Sequence, residues 1–308
     1  MKKTLLIIGW IFFTGMISYA QEPYFSQFFS APLFVAPSYS GSTEGSRAVL
    51  NAKDHYVAMP GTYMSFSASI DHYFHTKRTG LGFLLFRDQA GKSKMGFTSL
   101  AATYSYKIKI NKDWIVLPGL KFGYLQYGIR DDELITASGM INNGNAGSVY
   151  LKDHAGNIDF SASALAERSN AWFGFTIDHL TKPNLALSDK KYELKRKTTL
   201  FAGYRFIREK NAKFQSREHF DISGLFQWQG NYYQAFTGVN WYNKPITTGL
   251  WYRGIPLPSV NSFQNSLILV AGYDYADFRF MYSYDFYITK LASAAGGSHE
   301  ISLIYLFN

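Results

Sequence analysis

The chain has 308 residues, 31 Lys+Arg against 22 Asp+Glu, a formal charge of +9, and no cysteine. The missing thiols exclude a disulfide-stapled scaffold and a lipoprotein acylated on cysteine, so stability must come from packing and hydrogen bonding. Aromatic residues make up 18% of the chain, well above the usage of a soluble domain, yet no segment beyond the first twenty residues approaches the ~20 apolar residues of a membrane-spanning helix.

Residues 1–20 combine a basic start at Lys2 and Lys3, an apolar core from Leu5 to Ile17 and a Ser18-Tyr19-Ala20 ending. That is the layout of a cleaved secretory signal, and the core is too short to span a bilayer. Its removal takes two lysines and leaves 29 basic against 22 acidic residues, a balance of +7. Residues 21–45 do not alternate and are broken by Pro23, Pro32 and Pro37, which argues against a spanning strand. The apolar side chains between them predict a plug-like or docking segment that packs into a barrel mouth or against a partner. Tyr24, Phe25, Phe28 and Phe29 are its candidate contact residues.

From residue 46 to 308 the sequence predicts fourteen strands, at 46–56, 62–75, 79–88, 94–110, 113–128, 157–168, 171–179, 196–209, 218–228, 231–242, 245–253, 264–275, 277–289 and 298–308. In the second, Met64, Phe66, Ala68 and Ile70 interleave with Ser65, Ser67, Ser69 and Asp71; in the thirteenth every even position from Phe278 to Phe286 is aromatic. Period two gives each strand one apolar and one polar face. An exported chain of such strands meets a membrane only as a closed barrel, because an open sheet would leave edge N–H and C=O groups unpaired in lipid. The fold class predicted is therefore an all-β, antiparallel, outer-membrane-type barrel of about fourteen strands, apolar outside and polar within; a secreted sandwich or soluble barrel is the competing reading.

Connection lengths test the count, since such barrels have short periplasmic turns and longer outer loops. With both termini periplasmic, the turns fall at 75–79, 111–112, 169–170, 210–217, 243–244 and 276, and the long connections 130–156, 180–195, 254–263 and 290–297 all fall outside. Pairs such as Tyr124 and Tyr127, Trp172 and Phe173, Tyr232 and Tyr233, Trp241 and Tyr242, and Trp251 and Tyr252 sit near strand ends, as interfacial girdles do.

Reactive constellations are weak. Ser298, His299 and Glu300 invite comparison with a lipid-cleaving site, but neighbouring strand residues face opposite ways and cannot act as nucleophile and base together. Asp71, His72 and His75 fail as a metal site for the same reason, and Asp178-His179 at a strand end reads as a loop anchor. Lys190 to Lys197 is a basic run in an outer loop, able to meet phosphates of lipopolysaccharide or an acidic partner, while His75, Lys77, Arg78, Lys210, Lys213 and Arg217 make the periplasmic rim basic. No phosphate loop, dinucleotide fingerprint or zinc signature is present, and nucleic-acid binding has no support beyond net charge. The expectation is a protein that is not an enzyme and uses no cofactor or metal.

Several stretches resemble the PorP/SprF family of the type IX secretion system: Glu22 to Gln27, Ala31 to Phe34, Pro37 to Ser42, Gly80-Leu81-Gly82 with Asp88, Gly119-Leu120-Lys121, Asp159-Phe160, Asp178 to Asn184, Ala202-Gly203-Tyr204, Trp251 to Gly254, Ser283 to Phe286 and Gly297 to Leu303. The resemblance implies a non-enzymatic component of the outer membrane that works with other type IX components and binds, helps export or anchors secreted surface proteins such as gliding adhesins, often through a cargo C-terminal domain. Because loops on a rigid scaffold carry function, the expected partner-binding residues are Arg130, Asp131, Asp132, Lys190, Lys191, Lys195 and Arg196, together with the four aromatics of the opening segment. Outer-membrane lipid and lipopolysaccharide are the other expected partners. The alternative is an outer-membrane channel or transporter for small or hydrophobic solutes.

Overall fold

Strands that alternate with period two are stable in a bilayer only when the first and last of them pair, leaving no edge. A computed structural model, which describes residues 22–59, 61, 63–91, 95–129, 154–188, 191–207, 218–255, 265–288 and 296–307, has that closure. Its strands are β1 (Ser46–His55), β2 (Tyr63–Phe74), β3 (Thr79–Ala90), β4 (Met95–Tyr106), β5 (Ile108–Lys109), β6 (Ile115–Gly128), β7 (His154–Arg168), β8 (Ala171–Asp178), β9 (Lys197–Ile207), β10 (His219–Gln229), β11 (Tyr232–Asn243), β12 (Ile246–Arg253), β13 (Ser266–Tyr275), β14 (Phe278–Tyr287) and β15 (Ser298–Phe307). Each falls on a predicted strand, with ends moved by a few residues.

Neighbours in sequence pair antiparallel, and β1 closes on β15 from Ser46 opposite Phe307 to His55 opposite Ser298. The two-residue β5 continues the line of β4 past Lys107, whose N–H leaves the ladder for the Arg78 carbonyl at 2.8 Å. β4 itself pairs with β6, so β4 and β5 are one strand and the barrel closes with fourteen.

The faces follow the sequence pattern. Met64, Phe66 and Ile70 on β2, and Phe278, Phe280, Tyr282 and Phe286 on β14, are exposed toward lipid, while Ser65, Ser67, Asp71, Ser283 and Asp285 are buried inside. The interior is less uniformly polar than predicted. Leu117, Leu165, Phe201, Leu225, Phe236, Trp251 and Ile268 form a buried apolar patch on the lumen wall. Trp251 is thereby removed from the expected girdle: it shares a face with Thr247 and Arg253, stacks on Phe29 with centroids 5.0 Å apart, and donates its indole N–H to Asn240 at 2.9 Å.

What fills the lumen is the stretch 22–45. Pro32 starts a single helical turn, Pro32–Val35, and Pro37 starts a 3₁₀ turn, Pro37–Tyr39, each at the helix-initiating position where a missing N–H costs nothing. A third turn, Phe28–Ser30, precedes them. The prolines that rule out a strand thus build the compact turns that fit inside the barrel. Where the segment touches the wall most closely, Gly80 and Gly119 face it, and a β-carbon on either would collide with the backbone of Ser40 or Ser38.

The segment runs the length of the lumen. Gly45 joins β1 at the end of the barrel bearing the short turns, where Phe307 also lies. Glu22 lies at the opposite end, beside His179 and Lys197 where β8 ends and β9 begins. Of the two ends expected on the side of the short turns, Phe307 lies there and Glu22 does not. The latter, placed with the long connections, is carried there by 24 residues of lumen-filling chain.

Candidate functional site

Two charged clusters hold this segment near the end bearing the long connections. In the first, alternation on β1, β12, β14 and β15 brings Lys53, Arg253, Asp285 and Glu300 to one place on the lumen wall, all four side chains fully buried. Glu300 accepts the backbone N–H of Ser26 at 2.6 Å on one carboxyl oxygen and that of Gln27 at 3.0 Å on the other. The Gln27 amide donates to the Glu300 carbonyl at 3.1 Å and to Ser283 at 3.0 Å, and Ser26 Oγ donates to Asp285 at 2.6 Å. Lys53 lies 3.1 Å and Arg253 2.8 Å from the same Asp285 oxygen. Two cations thus face two carboxyl groups, which is what keeps buried charge tolerable. Both cations also lie 4.4 Å from the ring centre of Tyr24, a cation–π pairing that fixes the tyrosine between them.

The second cluster is centred on Glu22. One of its oxygens lies 2.7 Å from His179 Nε2 and the other 2.6 Å from Lys197 Nζ, and the Gln229 amide donates to it at 2.6 Å. His179 Nδ1 contacts Asp159 at 2.9 Å, and Lys121 reaches Asp178 at 2.6 Å. Burial pushes the Glu22 carboxyl up, but the charges of His179 and Lys197 outweigh it and hold the group well below its ordinary range. For His179 burial opposes the charged form, and Glu22, Asp159 and Asp178 overcome it, raising the imidazole to about 9. The ring is therefore a cation at neutral pH, and the loop anchor expected at Asp178-His179 is also a clamp on residue 22.

Between the clusters, Thr176 donates to the Val35 carbonyl at 3.1 Å and Asn51 to that of Ser30 at 3.3 Å. Toward the end with short turns, Ser163 accepts the Ser38 N–H at 2.8 Å, Ser105 donates to the Ser40 carbonyl at 2.6 Å, and Asp71 accepts the Gly41 N–H at 2.8 Å.

The sequence-predicted residues fall out as follows. Tyr24 and Phe25 are buried in the lumen and Phe28 and Phe29 pack on its apolar patch, so their rings meet the barrel's own wall. Arg130, Asp131, Asp132 and Lys190 lie outside the described residues. Lys191 pairs with Glu193 at 2.6 Å on an exposed turn, Lys195 lies against Gly230, and Arg196 reaches the Leu180 carbonyl at 3.4 Å. These three belong to a connection that folds back on itself through an Asn184–Glu193 bridge and buries Leu185 and Leu194 against Leu125. Ser298 bonds to Tyr287 at 2.7 Å inside the barrel and His299 to Tyr282 at 2.7 Å outside, facing apart as strand geometry requires. Asp71 serves Arg47 and Gly41, His72 contacts Ser46, and among the described residues no group of three metal-binding side chains occurs. Lys53, Arg253 and Asp285 were missed by sequence reasoning. Charged residues in phase with the lumen face of their strands were the available signal.

A plugged fourteen-stranded barrel narrows the comparison to outer-membrane proteins. The family model for the type IX secretion system membrane protein PorP/SprF matches residues 17–305. The chain belongs to this family. As a PorP/SprF protein it is a membrane component of that secretion system, and fold and family together support an outer-membrane location. Comparison with curated proteins finds no match. Among solved structures it is similar to the Ralstonia pickettii toluene transporter TbuX (TM-score 0.52, 11% identity, 91% of this chain and 94% of that one). The P. putida toluene transporter TodX is comparably similar (TM-score 0.51, 12% identity, 91% and 94%). At such identities the likeness is one of fold alone.

Proposed function

We propose that this PorP/SprF protein is a closed, non-enzymatic scaffold of the type IX system that binds secreted proteins through their C-terminal domains and anchors them at the cell surface. The observation that carries the reading is the lumen itself: the 22–45 segment occupies it from end to end, tied to strands on opposite sides by two buried charge clusters. A segment tied in this way supports a closed barrel over a freely conducting pore. Recognition then falls to the connections at the end bearing the long loops, including the basic turn with Lys191, Lys195 and Arg196 and the 130–156 connection that carries Arg130, Asp131 and Asp132.

Two measurements test the proposal. The purified barrel in a planar bilayer is expected to be electrically silent, whereas a steady open conductance would favour a solute channel. Shortening the 130–156 connection is expected to reduce surface display of type IX cargo while the barrel still assembles, and undiminished display would sink the assignment.

A further inference from the structure

The inner half of the lumen is filled unevenly. Residues 37–41 lie against β3, β4, β6 and β7, and the side lined by β8 to β11 and β14 is left open as a cavity of about 400 Å³. That is within the ~300–1,000 Å³ range of pockets that take small ligands. It opens toward the end with short turns, where Arg168 at the end of β7 and Arg205 near the end of β9 are exposed.

The cavity has two chemistries. Its deep wall is aromatic, built from Phe28 and Phe29 of the segment and Trp172 and Phe201 of the barrel. Its mouth carries Arg47, Arg168, Arg205 and Arg279, paired in turn with Asp71, Asp113, Asp221 and Asp274, so it offers guanidinium N–H donors and not a net positive charge. Three of the arginines are held in place. Arg47 donates to Asp71, Arg205 to Asp221 and Arg279 to Asp274, each through Nε and Nη2, at 2.7 to 3.1 Å. This side-on pairing fixes each guanidinium plane and leaves Nη1 out of the ion pair.

A purely apolar solute would leave the arginine N–H groups unused, and a bare inorganic anion would leave the aromatic wall uncovered. We infer that this cavity is a binding site for a compact aromatic or branched apolar body bearing one carboxylate, entering from the end with short turns. A small organic acid and the free carboxyl end of a polypeptide both present that chemistry. The inference is independent of the secretion role proposed above.

Calorimetric titration of the full barrel in nanodiscs with phenylbutanoate, its alcohol phenylbutanol, and the tripeptide Ala-Ala-Phe as free acid and as amide tests it. An acid is expected to bind at least about tenfold more tightly than its neutral counterpart, as one charge-assisted bond implies. Arg205→Gln and Arg279→Gln are expected to bring that ratio toward one, and Ser223→Phe, which intrudes on the cavity, to abolish binding. Arg87→Gln, an exposed position toward the opposite end of β3, leaves affinity unchanged, and a heat-modifiable band on gels shows that each variant is folded. Preference for the tripeptide acid over phenylbutanoate names a polypeptide end as the ligand, and the reverse names a small acid. Equal binding of acid and neutral forms, binding that survives Ser223→Phe, or no binding by any probe overturns the inference.

Discussion

Replacing Glu300 by Ala isolates the contribution of one side chain to the docking of the 22–45 segment. The carboxyl group accepts the backbone N–H groups of Ser26 and Gln27, and without it both donors stay buried with no acceptor from that side. At about 1–3 kcal/mol per orphaned donor, the docked state loses on the order of 3 kcal/mol, or roughly a hundredfold in the closed-to-open ratio. The natural chain has no cysteine, so Ser30→Cys introduces a single thiol at a buried position of the segment. Maleimide labelling of that thiol, in the regime where local opening precedes reaction, reads the ratio directly. Labelling is expected to be about a hundredfold faster in Glu300→Ala than with Glu300 intact, with heat-modifiability unchanged because β15 keeps its backbone pairing on both sides. A rate within about threefold of the parent would refute the assignment of Glu300 as a latch.

Other outcomes follow from the same geometry. The His179 cation contributes stability that is full below its ordinary value of 6.5 and is lost as pH rises through about 9, while Glu22 contributes above its ordinary 4.5 and is lost on acidification. The parent should therefore lose thermal stability between pH 6.5 and 9, and His179→Gln should lack that slope; identical profiles would show that the contact stores no charge energy. Gly119→Val forces a side chain into the Ser38 backbone and should loosen docking by about 1–3 kcal/mol, read as faster labelling of Ser30→Cys. An epitope inserted directly before Glu22 should be reached by antibody on intact cells, because residue 22 lies at the end with the long connections; protection until the outer membrane is breached would reverse the orientation of the barrel.

The strands were legible because lipid imposes their pattern: Phe278, Phe280, Tyr282 and Phe286 must face hydrocarbon, and the residues between them must not. Loop lengths then constrained the number of crossings without reference to any single strand. The plug was legible only as a stretch unable to form a strand. Its destination depends on residues such as Lys53, Asp285 and Glu300, which lie more than 200 positions apart in part and read individually as ordinary polar members of an alternating run. Trp251 and Trp172 were misassigned to the girdle because a tryptophan beside a tyrosine or phenylalanine at a strand end has the girdle's composition. Only the phase of each residue, counted along its own strand, separates the lumen from the lipid. Tyr24, Phe25, Phe28 and Phe29 were read as partner-contact residues, and composition alone gives no sign that the surface they pack on is the barrel's own interior.

The Ser298-His299-Glu300 triplet shows how closure and plugging are linked. Ser298 turns inward to Tyr287, His299 outward to Tyr282, and Glu300 inward to the segment, so three adjacent residues serve three different surfaces. Glu300 lies directly opposite Lys53 in the pairing of β1 with β15, the one ladder that joins the two ends of the sheet. Those two residues meet, 3.5 Å apart, only when that seam is formed. The acceptor for Ser26 and Gln27 is thus completed by the same event that closes the barrel. Since the segment continues directly into β1 and spans the whole lumen, it must lie inside as the seam zips or be threaded afterwards through a lumen already walled on every side. Threading would carry the charged Glu22 past the aromatic patch at Phe201, Phe236 and Trp251, at a desolvation cost that docking from within avoids. The geometry therefore favours a barrel that closes around its own N-terminal segment, with the Lys53–Glu300 pair as the point where the two steps become one.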